Sequence, residues 1–316
     1  MISICIPVYN FNITNLVGEL SKQGNLAGIP FEIIVIDDFS KADYRKQNAE
    51  VCIPHTYIEL DRNIGRSKIR NLFPVYSNFE YLLYVDCDSE IISDDFLKSY
   101  ISEVQNNCFQ VICGGRIYPD ETPPSGMRLR WKYGKKRESL PATERAENPY
   151  RYFMTNNFLI YSKLLENVRF DERIVQYGYE DTLFAYSLMK NGKKIRHIDN
   201  PVLHTCEETN EMFLEKTNKS IANLVSILHF TGYDRGFVNL VRILRVYNKI
   251  KSLCLGGITG FFLLVSAPAI RFLLRRGFAR IWLYDFYKLG LLFNVTRKTK
   301  PPRMIPGVGR FNVSGS

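Results

Sequence analysis

Val85-Asp86-Cys87-Asp88 places two carboxylates two positions apart at the end of an apolar, strand-like run. In extended backbone both point to the same side, so together they can hold a divalent cation. A cation held in this way neutralises a diphosphate leaving group. Read alone, an Asp-x-Asp pair is also common as a solvated acidic turn, and its neighbours must decide. Glu32 to Ser40 is a buried-looking run carrying Asp37 and Asp38 at its end. An acid there can accept a hydrogen bond from a uracil or ribose, or simply close a turn. In the run Asn63 to Asn71, Gly65 can open a helix with Arg66 and Arg70 one turn apart, suited to phosphate or to a solvated helix face. Glu180 and Asp181 begin another helical run. A carboxylate there is favoured by the helix macrodipole and can serve as a general base or as a cap.

Elements of two kinds must position these groups. Apolar, β-rich runs occur at Ile2 to Val8, Phe31 to Ile36, Thr56 to Leu60, Tyr81 to Val85 and Gln110 to Ile117. Helical spacing separates them: Ile13, Leu16, Val17 and Leu20, then Ile69, Leu72 and Phe73. Ser93 is the expected N-cap of a helix with Asp94 and Asp95 in its first turn, and Gly192 the expected stop of the helix from Glu180. Lys194 to Ile198 and Pro201 to Leu203 read as extended. The alternation predicts an α/β fold with a mostly parallel sheet flanked by helices, joined by right-handed crossovers. Residues 118–150 interrupt it with Pro119, Pro123, Pro124, Gly126 and a basic cluster from Arg128 to Arg137, and a connection that long is usually functional or disordered.

The net charge of +10 is unevenly distributed. Residues 235–303 hold fourteen Lys and Arg against one acid, Asp285, whereas residues 1–234 are slightly acidic. The tail alternates its cations with Leu, Ile and Phe, and 252–270 carries no charge at all. That length is near the spanning threshold of ~18–20 residues, but Gly256, Gly257, Gly260 and Pro268 and basic flanks on both sides favour an interfacial or re-entrant element. Packing on the catalytic part or self-association is the alternative. The seven cysteines are scattered without a Cys-x-x-Cys pair, which fits a reducing compartment. Met1 runs straight into a strand pattern, so a cytoplasmic protein on the inner face of the cell membrane is expected.

The motifs, in this order, resemble family 2 glycosyltransferases with the GT-A fold. The resemblance runs from Ile4-Cys5-Ile6-Pro7-Val8-Tyr9-Asn10 through Asp37-Asp38-x-Ser40, Asn63-x-Gly65, Arg70-Asn71, Asp86-x-Asp88, Thr155-Asn156-Asn157 and Gly178-Tyr179-Glu180-Asp181 to His204, about residues 1–205. It implies a nucleotide-sugar donor, with UDP the expected nucleotide, and inverting transfer to a saccharide or lipid-linked acceptor with Mn2+ or Mg2+. Pro7, Tyr9 and Asp38 would then line the nucleoside pocket and Arg70 lie beside the nucleotide. Asp86 would touch ribose and cation, Asp88 would be the main cation ligand, and His204 a second. Asp181 would be the general base, with Glu180 positioning the acceptor or its loop. The run Gln176-Tyr177-Gly178-Tyr179-Glu180-Asp181 departs from the Trp-Gly-x-Glu-Asp form of relatives, and Tyr177 could replace the tryptophan as a sugar platform.

The expected organisation is a catalytic domain over 1–230, with a nucleotide-binding half (1–117) and an acceptor half (118–230), then a helical region over 231–316 that docks on membrane or self-associates. A silent scaffold of the same fold is opposed by the intact Asp86, Asp88 and Asp181. Nucleic-acid binding is opposed by the apolar interleaving of the basic tail. A nucleotidyltransferase would need a Gly-rich phosphate loop where Pro7-Val8-Tyr9-Asn10 stands, and a dinucleotide-binding oxidoreductase a Gly-x-Gly-x-x-Gly.

Overall fold

The computed structural model describes residues 1–107, 109–205 and 208–299. Cys108, Cys206 and the segment 300–316 of the expected C-terminal region lie outside the described residues. The first half is β1 (Ile2–Val8), α1 (Thr14–Ala27), β2 (Phe31–Asp37), α2 (Ala42–Val51), β3 (Thr56–Glu59), α3 (Arg66–Tyr76), β4 (Tyr81–Val85), β5 (Ser89–Glu90) and α4 (Phe96–Asn107). There follow β6 (Val111–Cys113), β7 (Arg116–Ile117), α5 (Arg128–Arg137), α6 (Ala142–Glu147), β8 (Asn157–Tyr161), α7 (Leu164–Asn167), α8 (Glu180–Lys190), β9 (Arg196–His197) and β10 (Val202–His204). The remainder is helical: α9 (Asn210–Phe230), α10 (Arg235–Leu240), α11 (Arg242–Ser252), α12 (Gly256–Arg275) and α13 (Ile281–Lys298).

Seven strands form the main sheet in the order β3-β2-β1-β4-β8-β6-β9. The strands β3, β2, β1 and β4 run parallel, β8 runs antiparallel to both its neighbours, and β9 is parallel to β6. The continuous apolar runs of β1 and β4 follow from this, because helices cover both faces of the sheet. On one face Ile4, Ile6, Leu83 and Val85 pack with Leu16 and Leu20 of α1 and Phe96 of α4. On the other, Cys5, Leu82 and Tyr84 pack with Phe73 of α3 and Phe184 of α8, and Phe170 stacks on Phe184 at 4.0 Å between centroids. The order of connection reverses between β1 and β4. This is the switch point at which open α/β sheets bind ligands, outside the carboxyl ends of the strands.

Three expectations change in detail. The run expected as one strand from Gln110 to Ile117 divides at Gly114 and Gly115: β6 stays in the main sheet, and β7 joins a small sheet of order β5-β10-β7. Gly115 permits the break, with φ at +93° and Arg145 Nη2 only 2.7 Å from where a Cβ would sit. The helix expected from Ser93 starts at Phe96, and the Asp95 carbonyl accepts its first bond, from Ser99, while Ser93 Oγ accepts from the Asp95 N–H in the preceding turn. Residues 118–150 are a structured insert holding α5 and α6.

The tail is packed and exposed at once. Phe237, Val241 and Leu244 share a core with Ile174, Leu183 and Tyr186 of the sheet-bearing part and Ile221 and Leu224 of α9. Leu129 of α5 packs with Leu274 and Leu283 of the tail. The uncharged segment is broken at 253–255, between α11 and α12, with Cys254 at φ +57°, and from Gly256 onward α12 continues through Pro268. Its length and composition suffice to cross a membrane, and it is the single such helix among the described residues.

Candidate active site

The carboxyl ends of β2, β1 and β4 converge at the switch point. Tyr9, just past β1, is 53 % exposed and Pro7 half-buried. Asn10 turns the chain with φ at +52° and is tied to the β2 end by its N–H to Ser40 Oγ at 2.8 Å. Asp38 is buried there, and its two oxygens accept the N–H groups of Ile64 (2.6 Å) and Gly65 (3.0 Å). Burial pushes its carboxyl up, against those two bonds. Asp38 thus anchors the loop that launches α3.

Arg66 and Arg70 share a helix face but not an environment. Arg70 is 2 % exposed, stacks on Phe170, and donates from Nη2 to Asp86 Oδ1 at 2.8 Å. It therefore orients the first carboxylate of the Asp-x-Asp pair from beneath. Arg66 is exposed, and its guanidinium lies 4.8 Å from the centroid of the Tyr177 ring.

Asp88 meets His204 because β10 pairs antiparallel with β5, setting His204 opposite Ser89. His204 Nδ1 stands 3.4 Å from Asp88 Oδ2. That nitrogen and Asp88 Oδ1 are buried without a hydrogen-bond partner. Burial opposes ionisation of Asp88, but the His204 ring and the Arg116 and Arg66 charges hold its carboxyl well below the usual carboxylate range. Among the described residues no cluster of three or more His, Cys, Asp or Glu is assembled. Two side chains suit a cation that takes its remaining oxygens from a substrate diphosphate and water, as Mg2+ commonly does.

Glu180 and Asp181 begin α8 behind a strained turn, Gly178 at φ +100° and Tyr179 at φ +67°. The turn is held from α9: Asn223 Nδ2 donates to the Gly178 carbonyl at 2.5 Å, and Ser220 Cβ lies 2.5 Å from where a Gly178 Cβ would sit. The two acids are driven apart. Burial disfavours charge on Glu180, yet Arg66 and Arg70 outweigh it and the carboxyl falls. Asp181 is pushed up to about 6 by burial and by the charge of Glu180. A carboxylate of that basicity is suited to accepting a proton near neutral pH.

Asp86, Glu180 and Asp181 line one cavity of about 580 Å3. Asp38, Asp88 and His204 are not on its wall, so the expected residues fall into a strand-end cluster and a cavity cluster that meet at Asp86. Several residues there have no role assigned from the sequence. Arg116 Nη2 is 3.8 Å from Asp86 Oδ2, and Arg116 Nη1 lies 3.4 Å from Glu138, which also takes two bonds from Arg130 and one from Tyr118. Burial opposes the charge of Glu138, but these arginines pull its carboxyl down to about 2. Asn156 lines the cavity, 2 % exposed, with neither side-chain polar atom partnered. The basic run from Arg128 and the Asn156-Asn157 pair were the only sequence signals for these groups.

No curated protein sequence matches the chain. Among solved structures, the mannosyltransferase PcManGT from Pyrobaculum calidifontis, in complex with GDP-Man and Mn2+, is similar over 94% of this chain and 86% of its own, at 12% identity and TM-score 0.56. S. aureus TarS 1–349, in complex with UDP-GlcNAc, is similar over 94% of this chain and 91% of its own, at 18% identity and TM-score 0.51. At these identities the likeness establishes the fold, which is of the GT-A type. The family model described as glycosyl transferase family 2 matches residues 3–222, spanning every strand of both sheets and both halves of the site, and the chain belongs to that family.

Proposed function

We propose that this glycosyltransferase moves a sugar from a nucleotide-sugar donor, with UDP the expected nucleotide, to a saccharide or lipid-linked acceptor with inversion. The observation that carries the reading is that Asp86, at the switch-point strand end, and Asp181, its carboxyl raised to about 6, open on the same cavity. Tyr9, Pro7 and Asp38 would bound the nucleoside, with residues 1–117 forming most of the donor half. Asp88 and His204 would hold Mn2+ or Mg2+, which when bound supplies positive charge against the diphosphate. Arg70 keeps Asp86 oriented, and Arg116 adds a second cation at the same carboxylate. Asn156 offers an unpaired amide to sugar hydroxyls. Asp181, ionised, accepts the acceptor hydroxyl proton from the side opposite the leaving group, while Glu180 stays bound to Arg66 and the Gly178 N–H and fixes the loop.

The test is a panel of UDP- and GDP-sugars with Mn2+ or Mg2+, scored for nucleotide release. Turnover of at least one donor that stops in excess chelator supports the reading. Full turnover in chelator, or none with any donor, overturns it.

A further inference from the structure

The helices α11, α12 and α13 show solvent a surface that a free-standing protein would be expected to cover. Along α12, Ile258, Phe261, Phe262, Val265, Phe272 and Leu273 are exposed, Phe261 by 67% and Phe262 by 70%. Their spacing keeps them on one side of a helix that is roughly 30 Å long, while Gly260, Ile270 and Leu274 pack inward. On the adjoining α13, Trp282 and Phe286 are exposed one turn apart. α12 is therefore apolar on its exposed side as well as on its packed side.

The rim of the surface is cationic. Lys249 and Lys251 precede α12, Arg276 and Arg280 follow it, and Arg245 lies on α11. Among the described residues none of these five has an acidic partner within 4.0 Å, whereas Arg271 and Arg275 are taken up by Glu211. Cations at both ends of an apolar helix suit a helix lying in an interface plane, with its charges at headgroup level. A second copy of the chain on this face would oppose one cationic rim to another.

We infer that the α11–α13 face docks on an anionic phospholipid bilayer, such as the cytoplasmic leaflet, and presents the catalytic cavity to an amphiphilic acceptor held there. The second half of this statement rests on the proposed function and on continuity: Val246 and Phe286 belong to the exposed apolar surface and also line the cavity that holds Asp181. The acceptor class is a sugar- or phosphate-headed lipid whose chain stays in the bilayer.

Trp282 makes docking observable, because the chain has only one other tryptophan, Trp131, whose Nε1 is bonded to the Pro119 carbonyl. In a full-length Trp131→Phe background, vesicles of phosphatidylglycerol and phosphatidylcholine are expected to shift Trp282 emission to the blue, and brominated lipids to quench it. Sedimentation with the same vesicles should weaken at high salt. The variant Phe261→Ser/Phe262→Ser/Val265→Ser should reduce bound protein at least tenfold, and Lys249→Gln/Lys251→Gln/Arg276→Gln/Arg280→Gln should abolish the preference for anionic vesicles over pure phosphatidylcholine. Failure of the intact protein to bind anionic vesicles at low salt overturns the inference, as does a wild-type dimer that the serine variant converts to monomer. Vesicle binding is read without donor or metal, so its failure is distinct from failure of the catalytic reading.

Discussion

Arg66 Nη1 and Glu180 Oε1 meet at 3.2 Å although the residues lie 114 positions apart in sequence. This pair joins the loop anchored by Asp38 to the turn that carries Asp181. Glu180 is buried and Arg66 exposed, so the pair is worth less than a fully buried one but leaves a desolvated carboxylate when broken. Arg66→Ala should lower stability by about 1–2 kcal/mol. Glu180→Gln should largely remove that cost, and a double-mutant cycle by denaturant unfolding should show positive coupling. Additive effects would mean the pair does not hold the turn.

Asp181 should govern the acid limb of activity. With its carboxyl at about 6, kcat/KM is expected to fall as pH drops through that value, because the base must be ionised. Asp181→Asn should lower kcat by roughly a hundredfold or more while leaving donor affinity intact, measured by calorimetry with the nucleotide and Mn2+. The same raised value predicts a stability effect of defined sign. The carboxyl holds its proton more tightly folded than unfolded, so its contribution is present below the ordinary Asp range and is lost as pH rises through about 6. Asp181→Asn should therefore melt above wild type at pH 7.5 and match it near pH 3.

Asp88 and His204 should differ in degree. Asp88→Ala is expected to abolish cation-dependent transfer, a loss of roughly a hundredfold or more. His204→Ala should instead raise the cation concentration needed by roughly tenfold or more. Paramagnetic resonance of Mn2+ with UDP reads both without turnover; unchanged Mn2+ binding in Asp88→Ala would remove it from the ligand set.

Gly178 should tolerate no side chain. Its φ of +100° and the 2.5 Å approach to Ser220 Cβ require the turn to shift if a methyl is added. A displacement of about 1 Å at the base can cost roughly a hundredfold in rate, so Gly178→Ala should lose kcat while nucleotide affinity holds. Asn223→Ala, which removes the clamp on the Gly178 carbonyl, should move kcat in the same direction by less.

The sequence by itself determined the α/β class, the main strands and the family, because those signals are local. Continuous apolar runs mark strands buried on both faces, and short motifs sit at their ends where backbone and function coincide. It marked the tail as basic and apolar for the same reason. Tertiary structure alone decided what is brought together across the chain. His204 reaches Asp88 through the pairing of two very short strands, whose few residues carry no readable period. Arg70 looks like a surface cation on its helix but is buried under Asp86 by the packing of α3 on the sheet. The carboxyls of Glu180 and Asp181 are driven apart by burial and by Arg66 and Arg70 of another helix, and neither the burial nor the arginines can be read from the adjacency of the two acids. The tail likewise packs one side against the catalytic part and leaves the other open, a division set by which helix faces find a partner.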